Sequence, residues 1–542
     1  MDSKFVSVLR EPDNAFGATE ASQFRFEEAA SKCCDVKYEY IITEYSSKIV
    51  IYPSGSPVKF LKLRFRGDME FIEKVYADTW ERSGGNCFLE WRSVMPSRIM
   101  PWFCYVIGGG KTACYGVKVG PDCFASWMVD THGVTLLLNL TSGSGGTALK
   151  EPLVACEVVE LVGDEGEDTY NVAKRFSRML CDGPVLPKEP IFGVNNWYWA
   201  YGRITHESVM TETDYLMQMC QGSIHRPYMI LDDGWQLNRT YGNGAYIGGP
   251  WIANDRFGGD MRKTAEAIHI KGAKTGIWFR PLLTLGDVDE EAKLDKFSAG
   301  GVLLDPSHPY TLERVRSDAA KIRSWGFDLI KHDFSTMDYF GASPLTAENS
   351  NANLYKRQNP PYDHTKTNAT IIKNFYKAIQ AGAGDADVIG CNTVSHLTAG
   401  IHSTYRTGND TSGRSFEWSR RFGVNSVMRL PLNDTVYKVD PDCAAFTERV
   451  DPELNLDYLE MCALTGMTTL ASVTPGILTD KQMERINSIY LLADKDEARY
   501  GIKNYDKIAN PETFVSEDGK TERTFRWDSA YDGARVVLDW FN

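Results

Sequence analysis

Asp333 and Asp410 are the side chains of this chain best suited to nucleophilic and acid–base chemistry. Asp333 closes the run Phe327-Asp328-Leu329-Ile330-Lys331-His332-Asp333, and alternate residues of a strand share one face. Lys331 therefore stands beside Asp333 and should keep its carboxylate ionised, as a carboxylate nucleophile requires. A purely structural ion pair is the alternative interpretation.

Asp410 supplies a second carboxylate from another strand end, in the run Arg406-Thr407-Gly408-Asn409-Asp410-Thr411-Ser412-Gly413. The hydrolysis of a glycoside needs two carboxylates that flank one bond. One attacks the anomeric carbon and the other protonates the leaving oxygen. An Asp that only shapes its turn is the alternative for Asp410.

Two adjacent carboxylates also end the apolar run that leads into Leu231-Asp232-Asp233-Gly234-Trp235. Such a pair is costly to bury unless it is solvated or binds something polar. Asp232 and Asp233 are therefore predicted to contact a polar ligand, and capping of a turn is the alternative.

Other strand-like runs end in aromatic, cationic or small polar residues that are further binding candidates: Trp197, Trp235, Trp278, Arg280, Cys391 and Asn392. Flat aromatic faces suit the C–H faces of a sugar, although core packing is the commoner fate of one such ring. Arg280 is expected at the rim, and Cys391 is either a small buried side chain or a pocket contact. His332 falls on the opposite face from Lys331 and is predicted to pack. The nine histidines form no HExxH motif or close ligand cluster, so no metal and no cofactor are expected.

The elements that must position these residues alternate between strand and helix patterns over residues 190–490. Eight strands are predicted, at residues 191–199, 228–232, 275–281, 327–333, 388–392, 404–407, 436–440 and 468–473. Helical patterns between them indicate a (β/α)8 TIM barrel, whose active site lies at the C-terminal ends of the strands.

The regions on either side of the barrel have a different pattern. Residues 1–185 hold many short β-rich runs separated by Gly and Pro clusters, which predicts an all-β sandwich. Gly108-Gly109-Gly110-Lys111 is predicted to be a β-turn, because a phosphate loop would need a Gly where Tyr105 stands. A proline-rich linker is predicted to end this domain, and residues 491–542 are predicted to form a short C-terminal β region.

The composition excludes several classes of protein. The 542 residues carry a net charge of -13, which argues against binding to nucleic acids or to anionic membranes. No run approaches the roughly 20 apolar residues of a membrane helix. The start of the chain lacks the pattern of a secretory signal, and the twelve cysteines form no CxxC pair. Reduced thiols in a cytoplasmic protein are therefore expected, and a homo-oligomer is left open.

Five motifs in order resemble the α-galactosidases of glycoside hydrolase family 36: Leu231-Asp232-Asp233-Gly234-Trp235, Gly276-Ile277-Trp278-Phe279, Lys331-His332-Asp333, Gly390-Cys391-Asn392 and Thr407-Gly408-Asn409-Asp410. The resemblance covers nearly the whole chain, since the β domains on either side match the family layout. It implies a retaining, exo-acting hydrolase of terminal α-galactose-type residues in an oligosaccharide or glycoconjugate. It also implies Asp333 as nucleophile, Asp410 as acid/base, Asp232 and Asp233 as ligands of O4 and O6, and Lys331 as a contact of O3 and O4.

The chain departs from the family in two places that would line the sugar pocket. Arg280 stands where the family often has Glu, and Val394 stands where it has the Gly of the Cys-x-x-Gly element that contacts O2 of the sugar, here beginning at Cys391. Asn392 or Thr393 is therefore predicted to bind a nitrogen substituent at C2 as an alternative to plain galactose. An α-N-acetylgalactosaminidase, an α-galactosaminidase, a transglycosylase of the raffinose-synthase type and a non-catalytic sugar-binding barrel are the alternative functions.

Overall fold

The computed structural model describes residues 5–22, 34–82, 88–90, 99–237, 248–295, 301–342, 360–495, 499–507 and 510–527. The N-terminal domain consists mainly of short strands: β1 (Asn14–Thr19), β2 (Tyr38–Ile42), β3 (Ser47–Ile51), β4 (Val58–Arg66), β5 (Ile72–Ala77), β6 (Phe88–Glu90), β7 (Met100–Pro101), β8 (Phe103–Gly108), β9 (Lys111–Val117), β10 (Phe124–Asp130), β11 (Gly133–Asn139), β12 (Thr141–Ser142), β13 (Gly145–Gly146) and β14 (Leu153–Val162).

These strands form two larger antiparallel sheets and one short hairpin. The first sheet has the order β1-β4-β11-β10-β7, and the second has the order β2-β3-β14-β9-β8-β5-β6. Strand β4 alternates buried residues such as Leu61 and Leu63 with the exposed Lys62, as a sheet with one core face requires. The predicted β-sandwich is confirmed.

The glycine-rich stretch between β8 and β9 is the tight turn that the sequence predicts. Gly109 and Gly110 both have positive φ, at 57° and 73°, which is the geometry of a two-residue hairpin turn that glycine permits. The all-β prediction is wrong at one place. Helix α1 (Thr169–Leu180) ends the domain, and Asp168 accepts a hydrogen bond from Tyr170 N at its start.

The central domain contains the predicted parallel strands: β15 (Phe192–Asn195), β16 (Tyr228–Leu231), β17 (Lys274–Phe279), β21 (Leu329–His332), β22 (Asp387–Gly390), β23 (Thr404–Arg406), β24 (Lys438–Asp440), β25 (Cys443–Phe446) and β26 (Thr469–Val473). Strands β18 (Leu283–Thr284), β19 (Lys293–Asp295) and β20 (Val302–Leu304) form a small antiparallel sheet within the connection after β17.

The nine parallel segments make an eight-stranded barrel because the seventh strand is broken in two. Strand β24 pairs with β23 and β25 pairs with β26, so the short kink at Asp442, whose φ is 73°, joins the two edges of the sheet. The TIM-barrel prediction is confirmed, while the first predicted strand is shorter than expected. It ends at Asn195, and Trp197 starts a short helix.

Helices follow most of the barrel strands: α2 (Trp197–Ala200), α3 (His206–Met219), α4 (Met261–Ile270), α5 (Pro309–Ser324), α6 (Ser335–Phe340), α7 (Asn368–Ala383), α8 (Ser395–Thr398), α9 (Phe416–Val427), α10 (Pro452–Leu464) and α11 (Asp480–Lys495). None of the described helices is long and apolar enough to cross a membrane. A three-stranded sheet of β27 (Tyr500–Ile502), β28 (Thr513–Ser516) and β29 (Glu522–Thr524) follows the barrel.

The barrel interior is filled by side chains that alternate strands contribute. Ile230, Leu329, Ile389 and Leu470 belong to this inner cluster. Because Leu329 faces inward, the period of two places Lys331 on the same side, nearer the C-terminal mouth. His332 faces outward and packs against Tyr376 of α7, as predicted.

Candidate active site

A cavity of about 200 Å³ opens at the C-terminal mouth of the barrel. Seven of the eleven predicted site residues line it, together with Arg82, Tyr198 and Phe334: Trp197, Asp232, Asp233, Trp278, Lys331, Asp333 and Asp410. Side chains near or just after the C-terminal ends of β15, β16, β17, β21 and β23 therefore converge on one space, which is the arrangement expected of an active site in this architecture.

Asp333 lies directly after β21 and is held by two hydrogen bonds. The indole Nε1 of Trp278 donates to Oδ2 at 3.2 Å, and the backbone N–H of Phe334 donates to Oδ1 at 2.8 Å. Burial raises the pKa of Asp333, but the charges of Arg82 and Lys331 outweigh this effect and hold it below its ordinary value. The carboxylate is therefore ionised and able to act as a nucleophile.

Phe334 is in the left-handed region, with φ of 65°, which is unusual for a bulky residue and clusters at functional sites. Its ring is supported by the guanidinium of Arg280, which lies 4.3 Å from the ring centroid. Arg280 Nε also donates to Asp338 Oδ2 at 2.9 Å, and both partners are buried. Arg280 was predicted at the rim of the site. The structure places it behind Phe334, outside the residues that line the cavity.

Asp232 and Lys331 form a buried ion pair, with 2.7 Å between Asp232 Oδ2 and Lys331 Nζ. Asn195 Nδ2 donates to the same carboxylate oxygen at 2.7 Å. Burial lowers the pKa of Lys331, but the negative charges around it, that of Asp232 first and that of Asp333 among the others, together outweigh burial and raise it above its ordinary value. Asp233 accepts from Gln236 Nε2 at 2.6 Å. The two carboxylates are thus fixed before any ligand arrives.

Asp410 has a different environment, because its side chain is 54% exposed and is held by two guanidinium groups. Arg82 Nη1 donates to Asp410 Oδ1 at 2.7 Å, and Arg406 Nη2 donates to the same oxygen at 3.1 Å. Partial desolvation within the cavity raises the pKa of Asp410, but the charges of Arg82 and Arg406 outweigh this effect and hold it well below its ordinary value. Asp410 is therefore ionised in the unliganded protein at neutral pH.

Arg82 comes from the N-terminal domain, at the end of a short segment after β5 that we call the arm (residues 78–82). The arm is fixed to the barrel side at successive residues. Asp78 accepts from Arg429 Nε at 2.7 Å, and Ser395 N donates to the carbonyl of Trp80 at 2.8 Å. Arg82 thereby completes a cavity whose other described walls are built by the barrel.

Three predicted residues besides Arg280 lie outside the lining of the cavity. Trp235 is fully buried, donates from Nε1 to the carbonyl of Trp278 at 2.8 Å, and packs in the core. Cys391 is buried next to the cavity, with its sulfur 3.5 Å from Arg82 Nη1 and 3.6 Å from Arg406 Nη1. The fourth of these predicted binding residues, Asn392, hydrogen-bonds other side chains of the protein and does not line the cavity.

The side chain of Asn392 contacts Glu81 of the arm and Thr336 Oγ1, the latter at 2.8 Å. Its predicted contact with a substituent at C2 is therefore not supported by its position. Tyr198, Phe334 and Arg82 were not chosen from the sequence. An aromatic cluster around Trp197 points to Tyr198, whereas nothing in the local sequence marks Arg82.

The described residues contain no group of three or more His, Cys, Asp or Glu side chains arranged to hold a metal ion. The ten described cysteines are free thiols. The cavity therefore offers carboxylates, two cations and aromatic faces as its chemical groups.

Solved structures share this architecture at low sequence identity. The α-galactosidase TtGalA from Thermus thermophilus, solved with p-nitrophenyl α-D-galactopyranoside, matches with a TM-score of 0.59 and 17% identity. The match covers 90% of this chain and 99% of that one. The GH36 α-galactosidase AgaA from Geobacillus stearothermophilus matches with a TM-score of 0.61 and 13% identity, over 93% of this chain and 81% of that one. This chain has the fold of the GH36 α-galactosidases.

An α-galactosidase from Lactobacillus brevis is also similar, with a TM-score of 0.59 and 12% identity over 94% of this chain and 75% of that one. No protein-family model matches the chain, and no curated protein matches it. For the fold, the solved structures confirm the resemblance that the five motifs predict.

Proposed function

We propose that this chain is a retaining, exo-acting α-glycoside hydrolase that releases terminal α-galactose-type residues. The observation that carries the proposal is that Asp333 and Asp410, after β21 and β23, line one cavity together with Asp232 and Asp233. Two carboxylates for the chemistry and two for sugar hydroxyls are the groups that such a reaction uses.

In the first step, Asp333 attacks the anomeric carbon while Asp410 gives a proton to the departing glycosidic oxygen, so that a C–O bond to the enzyme forms as the glycosidic bond breaks. In the second step, ionised Asp410 takes a proton from water, the water oxygen attacks the anomeric carbon, and Asp333 leaves as a carboxylate. The buried position of Asp333 beside Lys331 supports the nucleophile role.

The choice of sugar is supported by the group on the opposite side of the cavity. Asp232 and Asp233 offer charged acceptors for two hydroxyls, and Lys331 offers a donor between Asp232 and Asp333. The similar enzyme from Thermus thermophilus has been solved with stachyose, and AgaA variants have been solved with raffinose and stachyose. We infer that the substrate is an oligosaccharide or glycoconjugate with a terminal α-galactoside.

The alternative of a free amine at C2 receives less support. The groups next to Cys391 are the guanidiniums of Arg82 and Arg406, and cations repel an ammonium substituent. A hydroxyl or a neutral acetamide is compatible with these donors. We therefore place α-galactosaminides below α-galactosides and α-N-acetylgalactosaminides as substrates.

The test is a panel of p-nitrophenyl α-glycosides: galactoside, glucoside, N-acetylgalactosaminide and galactosaminide. We expect the highest kcat/KM on the galactoside, and ¹H NMR of early product should show the α-anomer of galactose first. A β-anomer would contradict the retaining mechanism. Absence of turnover across the panel and on raffinose would favour a sugar-binding protein. Transfer of galactose to added sucrose or glycerol in excess of hydrolysis would favour a transglycosylase.

A further inference from the structure

We propose that Arg82 is a positioning residue through which the N-terminal domain holds Asp410 as an unprotonated carboxylate until substrate displaces the contact. The inference rests on the proposed function, since it assigns a role within the chemistry of the same two aspartates. It concerns a residue that touches Asp410 from outside the barrel, and it makes the N-terminal domain part of the catalytic step.

The geometry makes Arg82 the main partner of Asp410. Both guanidiniums meet the same oxygen, Oδ1, but Arg406 also donates to the buried Asp442. Arg406 is therefore already neutralised by a carboxylate that is 3% exposed. Arg82 Nη1 makes its shorter contact, 2.7 Å, with Asp410 itself, so this contact fixes a side chain that is otherwise half exposed.

The arm that carries Arg82 has little freedom to withdraw. Asp78 and Arg429 form an ion pair with both side chains 1% exposed. Trp80 stacks against His396 with 5.2 Å between ring centroids, and Asn392 donates to Glu81. Three of the five residues of the arm are thus each tied to the segments that follow β22 and β23. Arg82 is presented to Asp410 by the fold and is not a surface side chain that meets it by chance.

The charged and titratable groups around Asp410 come from five elements: Arg82 of the arm, Arg406 of β23, Asp442 between β24 and β25, Lys331 and Asp333 at the end of β21, and the phenols of Tyr198 and Tyr201 at α2. The three cations favour the ionised form of Asp410, and the acidic groups oppose it. Arg82 is the one of these cations that a substitution can remove without breaking an ion pair between barrel strands.

This arrangement affects the two steps of the reaction differently. Ionised Asp410 is ready to accept a proton from water in the second step. In the first step it must take up one proton from solvent as the Arg82 contact is broken, and then give that proton to the leaving oxygen. Glycosides with good leaving groups depart without this proton, so Arg82 should matter most for poor leaving groups such as those of methyl α-galactoside or raffinose.

The test compares wild type, Arg82→Met, Arg82→Gln and Arg82→Lys in the pH dependence of kcat/KM for methyl α-galactoside. The alkaline limb of this profile reports the free-enzyme acid, so removal of the positive charge should move the limb to higher pH by at least about one unit. Arg82→Lys keeps the charge and should leave the limb near its wild-type position. Arg64→Met is the matched control, because it breaks an ion pair with Asp130 inside the N-terminal domain.

A double-mutant cycle separates this role from a structural one. In an Asp410→Asn background, Arg82→Met should no longer shift the profile or change kcat/KM on methyl α-galactoside by more than about twofold. An equal effect in both backgrounds, or superimposable profiles of wild type, Arg82→Met and Arg82→Gln, would overturn the inference. Thermal unfolding of each variant identifies one that fails to fold, in which case the other neutral variant decides. If wild type hydrolyses no α-galactoside at any pH, the proposed function fails instead.

Discussion

The two sides of the cavity hold their carboxylates in different ways. Asp333 is 9% exposed and receives its hydrogen bonds from Trp278 of the neighbouring strand β17 and from Phe334, the next residue along the chain. Asp410 is half exposed and is held by Arg82, from a different domain, and by Arg406. One carboxylate is positioned by the barrel itself, and the other by a contact between domains.

This difference indicates how each aspartate can be changed without loss of the fold. The pairing of Trp278 with Lys331 across β17 and β21 fixes the Asp333 side of the cavity through the register of parallel strands, and one strand cannot shift this register alone. The Asp410 side depends on a salt bridge at partial exposure, where an ion pair contributes little to stability. The Asp410 side is therefore the part of the site whose properties a substitution can change without loss of the fold.

The largest expected effect is on the barrel side. Asp333→Asn removes the proposed nucleophile and should lower kcat/KM on p-nitrophenyl α-galactoside by roughly 10⁴-fold or more, about 5.4 kcal/mol in the barrier. Asp328→Asn is the matched control, because Asp328 lies at the other end of the same strand and bonds to His269. Steady-state kinetics check both. An Asp333→Asn variant whose kcat/KM stays within tenfold of wild type would show that another group attacks the anomeric carbon.

The next effect concerns the anchor of the arm. Asp78→Asn removes the buried carboxylate beside Arg429, and breaking such a buried pair destabilises a protein by about 3–5 kcal/mol. The control is Asp182→Asn, because Asp182 is 77% exposed where it meets Lys118, and exposed pairs contribute about 0–1 kcal/mol. Urea unfolding measures both. Equal losses in the two variants would mean that the arm is not an important anchor.

The sequence predicts the barrel side of the site well and the arm side poorly. The period of two in the strand before Asp333 is a local signal, and it places Lys331 inward and His332 outward, as the structure has them. Asp232 and Asp410 follow from the rule that parallel strands deliver their ends to one face. These predictions need only the neighbouring residues and the direction of the strand.

Local sequence patterns do not predict where the side chains of Arg82, Arg280 and Asn392 lie relative to the cavity. Arg82 reaches the cavity only through the docking of a separate domain, which no spacing in the sequence records. Arg280 and Asn392 stand at strand ends as predicted, but tertiary partners hold them elsewhere: Asp338 binds the first, and Glu81 and Thr336 bind the second. A strand end gives the region of a side chain, while its direction depends on partners far away in the chain.

A smaller effect is expected at Asp232, the proposed sugar-binding carboxylate that Lys331 contacts. Hydrogen bonds to charged groups are worth about 1.5–3 kcal/mol, so Asp232→Asn should lower kcat/KM on α-galactoside by about 10- to 150-fold. Hydrolysis of α-glucoside, whose O4 is equatorial, should fall less. The ratio of the two kcat/KM values is the measurement, with thermal unfolding as the control for stability. An unchanged ratio would contradict a role for Asp232 in selecting the axial O4.

The smallest expected effect is on the pH dependence of stability, at His396, which packs against Trp80 of the arm. His396 is stacked between Trp80 and Trp102, and neither ring nitrogen has a hydrogen-bond partner among the described residues. Burial lowers its pKa from the ordinary 6.5 to about 3. Below pH 6.5 the unfolded chain binds a proton that the folded protein does not, so stability falls with pH from 6.5 down to about 3. At pH 5 this amounts to about 2 kcal/mol for His396.

His396→Phe keeps a ring between the two indoles and loses no hydrogen bond to a described residue. The fall in the free energy of urea unfolding between pH 7 and pH 5 should therefore be about 2 kcal/mol smaller in His396→Phe than in wild type. His332→Phe provides the barrel-side comparison, since burial also lowers the pKa of His332 to about 3. If only His332→Phe reduces the fall in the free energy of unfolding between pH 7 and pH 5, the packing of the arm around His396 is looser than the structure indicates.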